Sequence, residues 1–317
     1  MFKKFLLVCV IALVAFVVIG VTAANHLGLT DDIFESDSLI GSVIDSIFGN
    51  ALPERTNILI LGTDYVRAGI GRADMMMIMT ISGETGKIDL ISIPRDTRVT
   101  MPQDRLDILR ENGRNTASSS GIMRINEVTH HAGPQFGPSF LALQVEELTG
   151  VSIDYYLHIN LDAFRFIVDE IGGVEFDVPI RMFYQDPYQD LLIDLQPGLQ
   201  RLDGTMAEGL VRFRSGHADG DLGRMRTQQE FMRVAIGQII STENIVSNPM
   251  AYINVIFNHI DTDFGLLDAP KYLGLINLIN AENITAHTLE AEGTRINGRF
   301  YYIIDEDAMK EVLDKIY

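Results

Sequence analysis

Hydrophobic positions along this chain fall into two regimes. From Phe5 to Ala24 (FLLVCVIALVAFVVIGVTAA) they run for twenty residues without a charge, enough for a helix to cross a hydrocarbon core about 30 Å thick. Lys3 and Lys4 precede the run, so the positive-inside rule leaves residues 1–4 in the cytoplasm and carries everything after about residue 25 to the outer side. Thr22-Ala23-Ala24 has the small residues of a cleavage site, yet the run is longer than the roughly 7–15 residues of a signal-peptide core. A retained transmembrane helix over 5–24 is the expectation. Residues 25–53 then alternate polar and apolar positions and read as a juxtamembrane spacer.

Beyond residue 54 the apolar runs shorten to strand length. NILILGT (57–63) and DMMMIMTIS (74–82) are apolar on both faces, the pattern of strands covered by helices on both sides. GETGK (83–87) looks superficially like a phosphate-binding loop, but it is too short and no Ser or Thr follows its lysine. It predicts a hairpin turn shaped by Gly86, leading into a strand over 87–93. Residues 101–122 are polar and rich in Gly, Ser and Asn, and predict a long loop. A helix over 136–149, a strand over 153–159, a helix over 161–172 and a strand over 174–178 follow. Residues 221–240 and 247–280 add helix, and 299–305 a late strand. This alternation predicts one α/β domain over 54–317, a layered α-β-α arrangement around a central mixed sheet.

Composition narrows what that domain does. A formal net charge of -18 over 317 residues argues against non-specific nucleic-acid binding, which needs a broad cationic face. The single cysteine, Cys9, falls inside the first apolar run, which excludes disulfides, thiolate chemistry and Cys-ligated zinc from the rest of the chain. His130 and His131 are adjacent, His217 sits in a polar segment, and neither HExxH nor GxSxG occurs, which argues against metalloproteases and serine hydrolases. Between Lys87 and Lys271, however, there are fourteen arginines and no lysine. The planar guanidinium fork grips phosphate oxygens bidentately where an ammonium is a hydrated point charge. A phosphate-reading pocket in an otherwise acidic surface is therefore expected.

The candidate residues cluster at strand ends. Arg72 and Asp74 stand two apart at the mouth of the second strand, so extended backbone points both to one face. They form either a local ion pair or a Mg²⁺ carboxylate beside an arginine that meets the phosphates. Asp64, just past LILGT, offers a second carboxylate, and a donor set of oxygens alone favours Mg²⁺ or Mn²⁺ over zinc. Pro94 stops the third strand and presents Arg95 at its end, where ligands gather on open α/β sheets. Arg212 and Arg214 flank Phe213 and share a face if the backbone is extended. Arg224 and Gln228 lie four apart on the next helix.

Taken together and in this order, NILILGTD, GRADMM, SIPRDT, RIN (124–126), VDEIGGV, LDGTMAEGLVRFR and DLGRMRTQQ resemble the LytR-CpsA-Psr family over about residues 54–317. The resemblance implies a membrane-anchored, extracytoplasmic enzyme that moves a glycopolymer from a polyprenyl-pyrophosphate carrier onto peptidoglycan with Mg²⁺, a phosphotransferase. It implies that Asp64 and Asp74 hold the metal and that Arg72, Arg95, Arg212 and Arg214 contact the pyrophosphate, with Arg124, Arg224 and Gln228 completing the polar wall. Arg124 stands where the family usually has lysine. Thr227 replaces a frequent arginine, and His131-Ala132-Gly133-Pro134 departs from the usual paired glycines. A pyrophosphatase acting on the same lipid and a non-catalytic scaffold that binds lipid or polymer are the alternatives. Arg105, Arg110, Arg114, Arg165, Arg181, Arg201 and Arg233 are read as surface cations.

Overall fold

The computed structural model describes residues 52–64, 70–114, 120–186, 191–214, 221–240, 260–265, 268, 271–272, 275, 278–279 and 281–317. The expected transmembrane helix, nearly all of the spacer and most of residues 247–280 lie outside the described residues. No helix among the described residues is long and apolar enough to cross a membrane.

Six strands make the central sheet. β1 (Arg55–Thr63) pairs antiparallel with β2 (Ala73–Ser82) and parallel with β6 (Tyr155–Asn160). β3 (Ile88–Ser92) pairs antiparallel with β2, and β12 (Ile284–Thr288) runs parallel beside β3. The short β11 (Asp261–Thr262) closes the far edge antiparallel to β6, giving the order β11-β6-β1-β2-β3-β12. The sheet is mixed, as the sequence predicts. Gly86, at φ 67°, makes the expected turn between β2 and β3.

Alternate residues of the central strands enter separate cores, which is why their sequences are apolar throughout. Leu59, Leu61, Ile78 and Ile91 pack against α1 (Gln103–Glu111), α2 (Glu127–Thr149) and α6 (Glu306–Asp314) through Leu106, Leu141, Val145 and Val312. Met77, Ile88 and Leu90 face the other way, toward Met232 and Ile236 of α5 (Asp221–Ile240). A third core, around the fully buried Phe231, joins α5 to α3 (Leu161–Glu170) and α4 (Gly204–Arg212). It also takes in the antiparallel pairs β7 (Val174–Val178) with β10 (Gly198–Leu202) and β8 (Met182–Asp186) with β9 (Leu191–Leu195). Two further pairs, β4 (Arg98–Thr100) with β5 (Ile122–Arg124) and β13 (Ala291–Ile296) with β14 (Arg299–Ile304), and a single 3-10 turn at Ala281–Asn283 complete the described elements.

Four expectations change. Within 247–280, expected to be helical, Asp261–Thr262 form the strand β11, because they pair with His158 and Leu157 at the free edge of β6. The predicted loop over 101–122 begins as α1, because Leu106 and Leu109 supply a buried stripe that the Gly/Ser/Asn-rich tail of the segment obscured. The helix expected over 136–149 starts at Glu127 and bends at Gly133, whose φ of 74° leaves helical space just before Pro134. Arg105 is no surface cation: it is 5% exposed and pairs with Glu147.

Candidate functional site

The C-terminal ends of β1 and β6 and the first turns of α3 and α5 surround a cavity of about 470 Å³. β6 ends at Asn160, whose side chain caps α3 by accepting a hydrogen bond from the Ala163 amide at 2.8 Å. Asp203 caps α4 in the same way, accepting from the Met206 amide at 2.8 Å. That cap fixes where α4 runs and so where its last residue, Arg212, emerges. Phe213 then turns extended, at φ -65° and ψ 122°, and buries its ring in the third core. Arg212 and Arg214 line the cavity together. They meet there by another route than the extended backbone expected, since Arg212 is helical and the extended stretch begins only at Phe213.

Asp74 reaches the cavity through an irregularity in β2. Gly62 pairs with Met75 and Thr63 with Ala73, so Asp74 has no partner on β1. Such a bulge re-aims a side chain, and it breaks the alternation from which Arg72 and Asp74 were expected on one face. Arg95 Nη1 donates to Asp74 Oδ1 at 2.5 Å and Arg214 Nη2 to Oδ2 at 3.3 Å. Asp74 lines the cavity with Asp64. Burial pushes the Asp64 carboxyl above its ordinary value and the Asp74 charge adds to this, while Arg214 and Arg212 pull the other way.

On α5, Arg224 is 3% exposed and Gln228 lies one turn on; both line the main cavity and a small adjoining one that also holds Asp74 and Arg95. Gln228 Nε2 donates to the Val211 carbonyl at 2.7 Å, tying α5 to the last turn of α4. Arg212 Nη1 donates to Glu208 Oε1 at 2.7 Å, and Arg165 Nη1 to the other oxygen of the same carboxylate at 2.8 Å. Arg226 is exposed.

Arg72 and Arg124 are placed elsewhere. They converge on Glu127 at the start of α2, at 3.7 Å and 3.0 Å, with Arg299 of β14 as a third partner. Burial alone would raise the Glu127 carboxyl, but hydrogen bonds from the Arg124 side chain and backbone and the charges of Arg124 and Arg299 hold it below its ordinary value. Of the nine candidates, Asp64, Asp74, Arg212, Arg214, Arg224 and Gln228 line the main cavity, Arg95 touches Asp74 at its edge, and Arg72 and Arg124 form the neighbouring cluster.

The donors suit one kind of cation. Among the described residues no group of three or more His, Cys, Asp or Glu side chains converges, so the protein offers no complete cage. Two carboxylates in a cavity lined with arginines fit Mg²⁺, which keeps several waters and takes the rest of its shell from substrate phosphates. The raised Asp64 is the group such a cation would relieve.

The model of the LytR_cpsA_psr family matches residues 40–316. The chain belongs to the LytR_cpsA_psr family. It is 31% identical over 265 residues to the polyisoprenyl-teichoic acid–peptidoglycan teichoic acid transferase TagU of Oceanobacillus iheyensis, covering 83% of this chain and 75% of that one. Its fold is similar to that of B. subtilis TagV, with a TM-score of 0.66 at 20% identity over 83% of this chain and 96% of the other. A structure of TagT bound to LI-WTA matches with a TM-score of 0.59 at 20% identity, covering 83% of this chain and 89% of that one.

For this member of the LytR_cpsA_psr family, several lining residues escaped the sequence reading. Asn160, Phe164, Tyr184 and Met232 line the cavity without belonging to any charged motif, and Thr63 lies inside NILILGTD but was not singled out there. Glu208, which braces Arg212, carried only the signal of an i,i+4 acid–base spacing in EGLVR, and Arg165, read as a surface cation, bonds the other oxygen of that carboxylate. Arg299 lies far from the motifs in sequence and reaches Glu127 only through the β13–β14 hairpin.

Proposed function

We propose that this chain transfers a glycopolymer from a polyprenyl-pyrophosphate carrier onto peptidoglycan, at the outer face of the membrane in which residues 5–24 anchor it. What carries this reading is that two unlike cavities adjoin. The polar one, with its two carboxylates and three arginines, shares Ile159, Phe164 and Met232 with an apolar one of about 370 Å³. The apolar cavity lies between the sheet, at Ile60, Met79 and Leu157, and the facing sides of α3 and α5, at Ile167, Phe231 and Ile236. A ligand with a pyrophosphate head and an isoprenoid tail matches that division. Relatives named as teichoic acid transferases supply the reaction class.

In this reading Arg212, Arg214 and Arg224 bind the pyrophosphate oxygens and spread the charge that develops on the leaving polyprenyl phosphate. Arg95 keeps Asp74 oriented. Asp64 and Asp74 would hold Mg²⁺, whose contribution when bound is neutralisation of charge on the phosphate oxygens. α3 borders the tail, whereas the 136–149 stretch of α2 packs its apolar residues into the core on the other side of the sheet. The sugar hydroxyl of the acceptor attacks the sugar-proximal phosphorus in line.

Full-length protein in detergent, incubated with a polyprenyl-pyrophosphate-linked sugar with and without Mg²⁺ and labelled peptidoglycan, tests the proposal. Polyprenyl phosphate appearing together with labelled acceptor, and only with Mg²⁺, is expected. Release of the lipid phosphate without acceptor would make the chain a hydrolase, and tight binding without turnover a scaffold.

A further inference from the structure

We propose that Thr63, His158 and Asp261 form a proton relay that removes the proton of the attacking acceptor hydroxyl. The inference rests on the transfer reaction just proposed, for which no base was assigned. The three residues sit on adjacent strands at one side of the sheet. Thr63 ends β1, His158 lies on β6, and Asp261 pairs with His158 across β11 and β6. Thr63 lines the polar cavity directly beside Asp64. Its Oγ1 lies 2.9 Å from His158 Nε2, and His158 Nδ1 lies 3.3 Å from Asp261 Oδ2.

The ends of this chain of hydrogen bonds differ in a useful way. The Thr63 residue is buried at 4% exposure and borders the cavity, the His158 side chain is 13% exposed, and the Asp261 side chain is 58% exposed. Asp261, accepting from Nδ1–H, selects the tautomer whose Nε2 lone pair faces the Thr63 hydroxyl. Thr63 then accepts the proton of the acceptor hydroxyl while passing its own to Nε2. The acceptor oxygen forms its bond to phosphorus, the phosphorus–oxygen bond to polyprenyl phosphate breaks, and the leaving group keeps the electron pair. The imidazolium is stabilised by Asp261 and returns its proton to solvent at that exposed edge. Atoms and charge balance as one phosphodiester, one polyprenyl phosphate and one released proton.

Burial holds His158 below its ordinary value, against the raising effect of Asp261, so the imidazole is neutral and able to accept near neutral pH. Asp261 on β11 is the charged group that acts on it among the described residues, and β1 presents only the neutral Thr63 hydroxyl. Thr63 touches the acceptor; His158 and Asp261 are positioning residues that act through it.

Steady-state transfer by the full-length protein decides. Thr63→Val and His158→Gln should lower kcat by about 10²–10⁴-fold with KM for the lipid within about threefold, and Thr63→Ser should restore most of the rate lost in Thr63→Val. Asp261→Asn changes an exposed side chain and guards against misfolding of the buried variants. It should lower kcat and move the acid limb of the pH profile to lower pH, because His158 loses the anion that raises it. Wild-type transfer together with undiminished kcat in folded Thr63→Val or His158→Gln, or an unmoved acid limb in Asp261→Asn, overturns the relay alone. Absence of transfer by the wild-type chain overturns the proposed function and the relay with it.

Discussion

Asp74 is the residue on which most of the polar cavity depends. It is the bulged position of β2, it borders both the main cavity and its small neighbour, and it accepts from Arg95 and Arg214. Asp74→Ala should abolish transfer, by about 10³-fold or more, because it removes a carboxylate proposed to hold Mg²⁺ and takes from Arg95 and Arg214 the acceptor they share. A folded variant with wild-type turnover, read by product chromatography, would falsify that role. Glu127 makes a prediction about stability instead. Its carboxyl is held below an ordinary value of 4.5, so the stabilisation it supplies is complete above that pH and is lost as pH falls through the lower folded value. Glu127→Gln should cost about 1–2 kcal/mol at neutral pH, since Arg72 and Arg299 reach solvent, and its stability should fall less on acidification. Equal acid sensitivity of the two proteins in urea unfolding would contradict this.

At the scale of elements, α3 and α5 do two jobs, closing the third core through Phe231 and walling the apolar cavity. A larger side chain on the wall should therefore act on the lipid before it acts on the fold. Ile236→Trp is expected to cost about 1–3 kcal/mol of stability and to raise KM for a long polyprenyl substrate by tenfold or more, while a short-chain analogue is handled as before. Equal loss with both lipids would mean that the tail lies elsewhere. The same elements show which parts of the site were legible in the sequence. β7, with inward residues at every second position, has the boundaries that its alternation predicts, because one face meets a core and the other solvent. Gly86 and the pair Gly172-Gly173 mark turns at positive φ, as expected of glycines that end an element. Arg212, Arg214, Arg224 and Gln228 were found because they are charged or polar within dense motifs and meet across a single helix–helix contact. The bulge at Asp74 and the convergence of Arg299 on Glu127 were not legible. Each arises from a register or a hairpin docking that no local spacing encodes. The helix within 101–122 was missed for a different reason, since its two fully buried leucines are outnumbered by the polar residues around them.

The whole molecule sets a compact arginine-lined site inside a chain of net charge -18, so long-range attraction of the proposed anionic lipid would be weak and recognition would come from contact. In the proposed function, guanidinium groups at fixed positions, together with an apolar chamber for the tail, supply that contact. Two groups of arginines compete as the place where a pyrophosphate would lie: Arg212, Arg214 and Arg224 around Asp64 and Asp74, or Arg72, Arg124 and Arg299 around Glu127. The first group borders the apolar chamber through Ile159, Phe164 and Met232, and the second borders neither cavity among the described residues. A crystal structure of the protein with polyprenyl pyrophosphate and Mg²⁺ tests this choice most directly. The pyrophosphate is expected between the two carboxylates and Arg212, Arg214 and Arg224, with the isoprenoid units running past Phe164 into the space between α3 and α5. A pyrophosphate seated on Arg72, Arg124 and Arg299, or a tail outside that chamber, would contradict it.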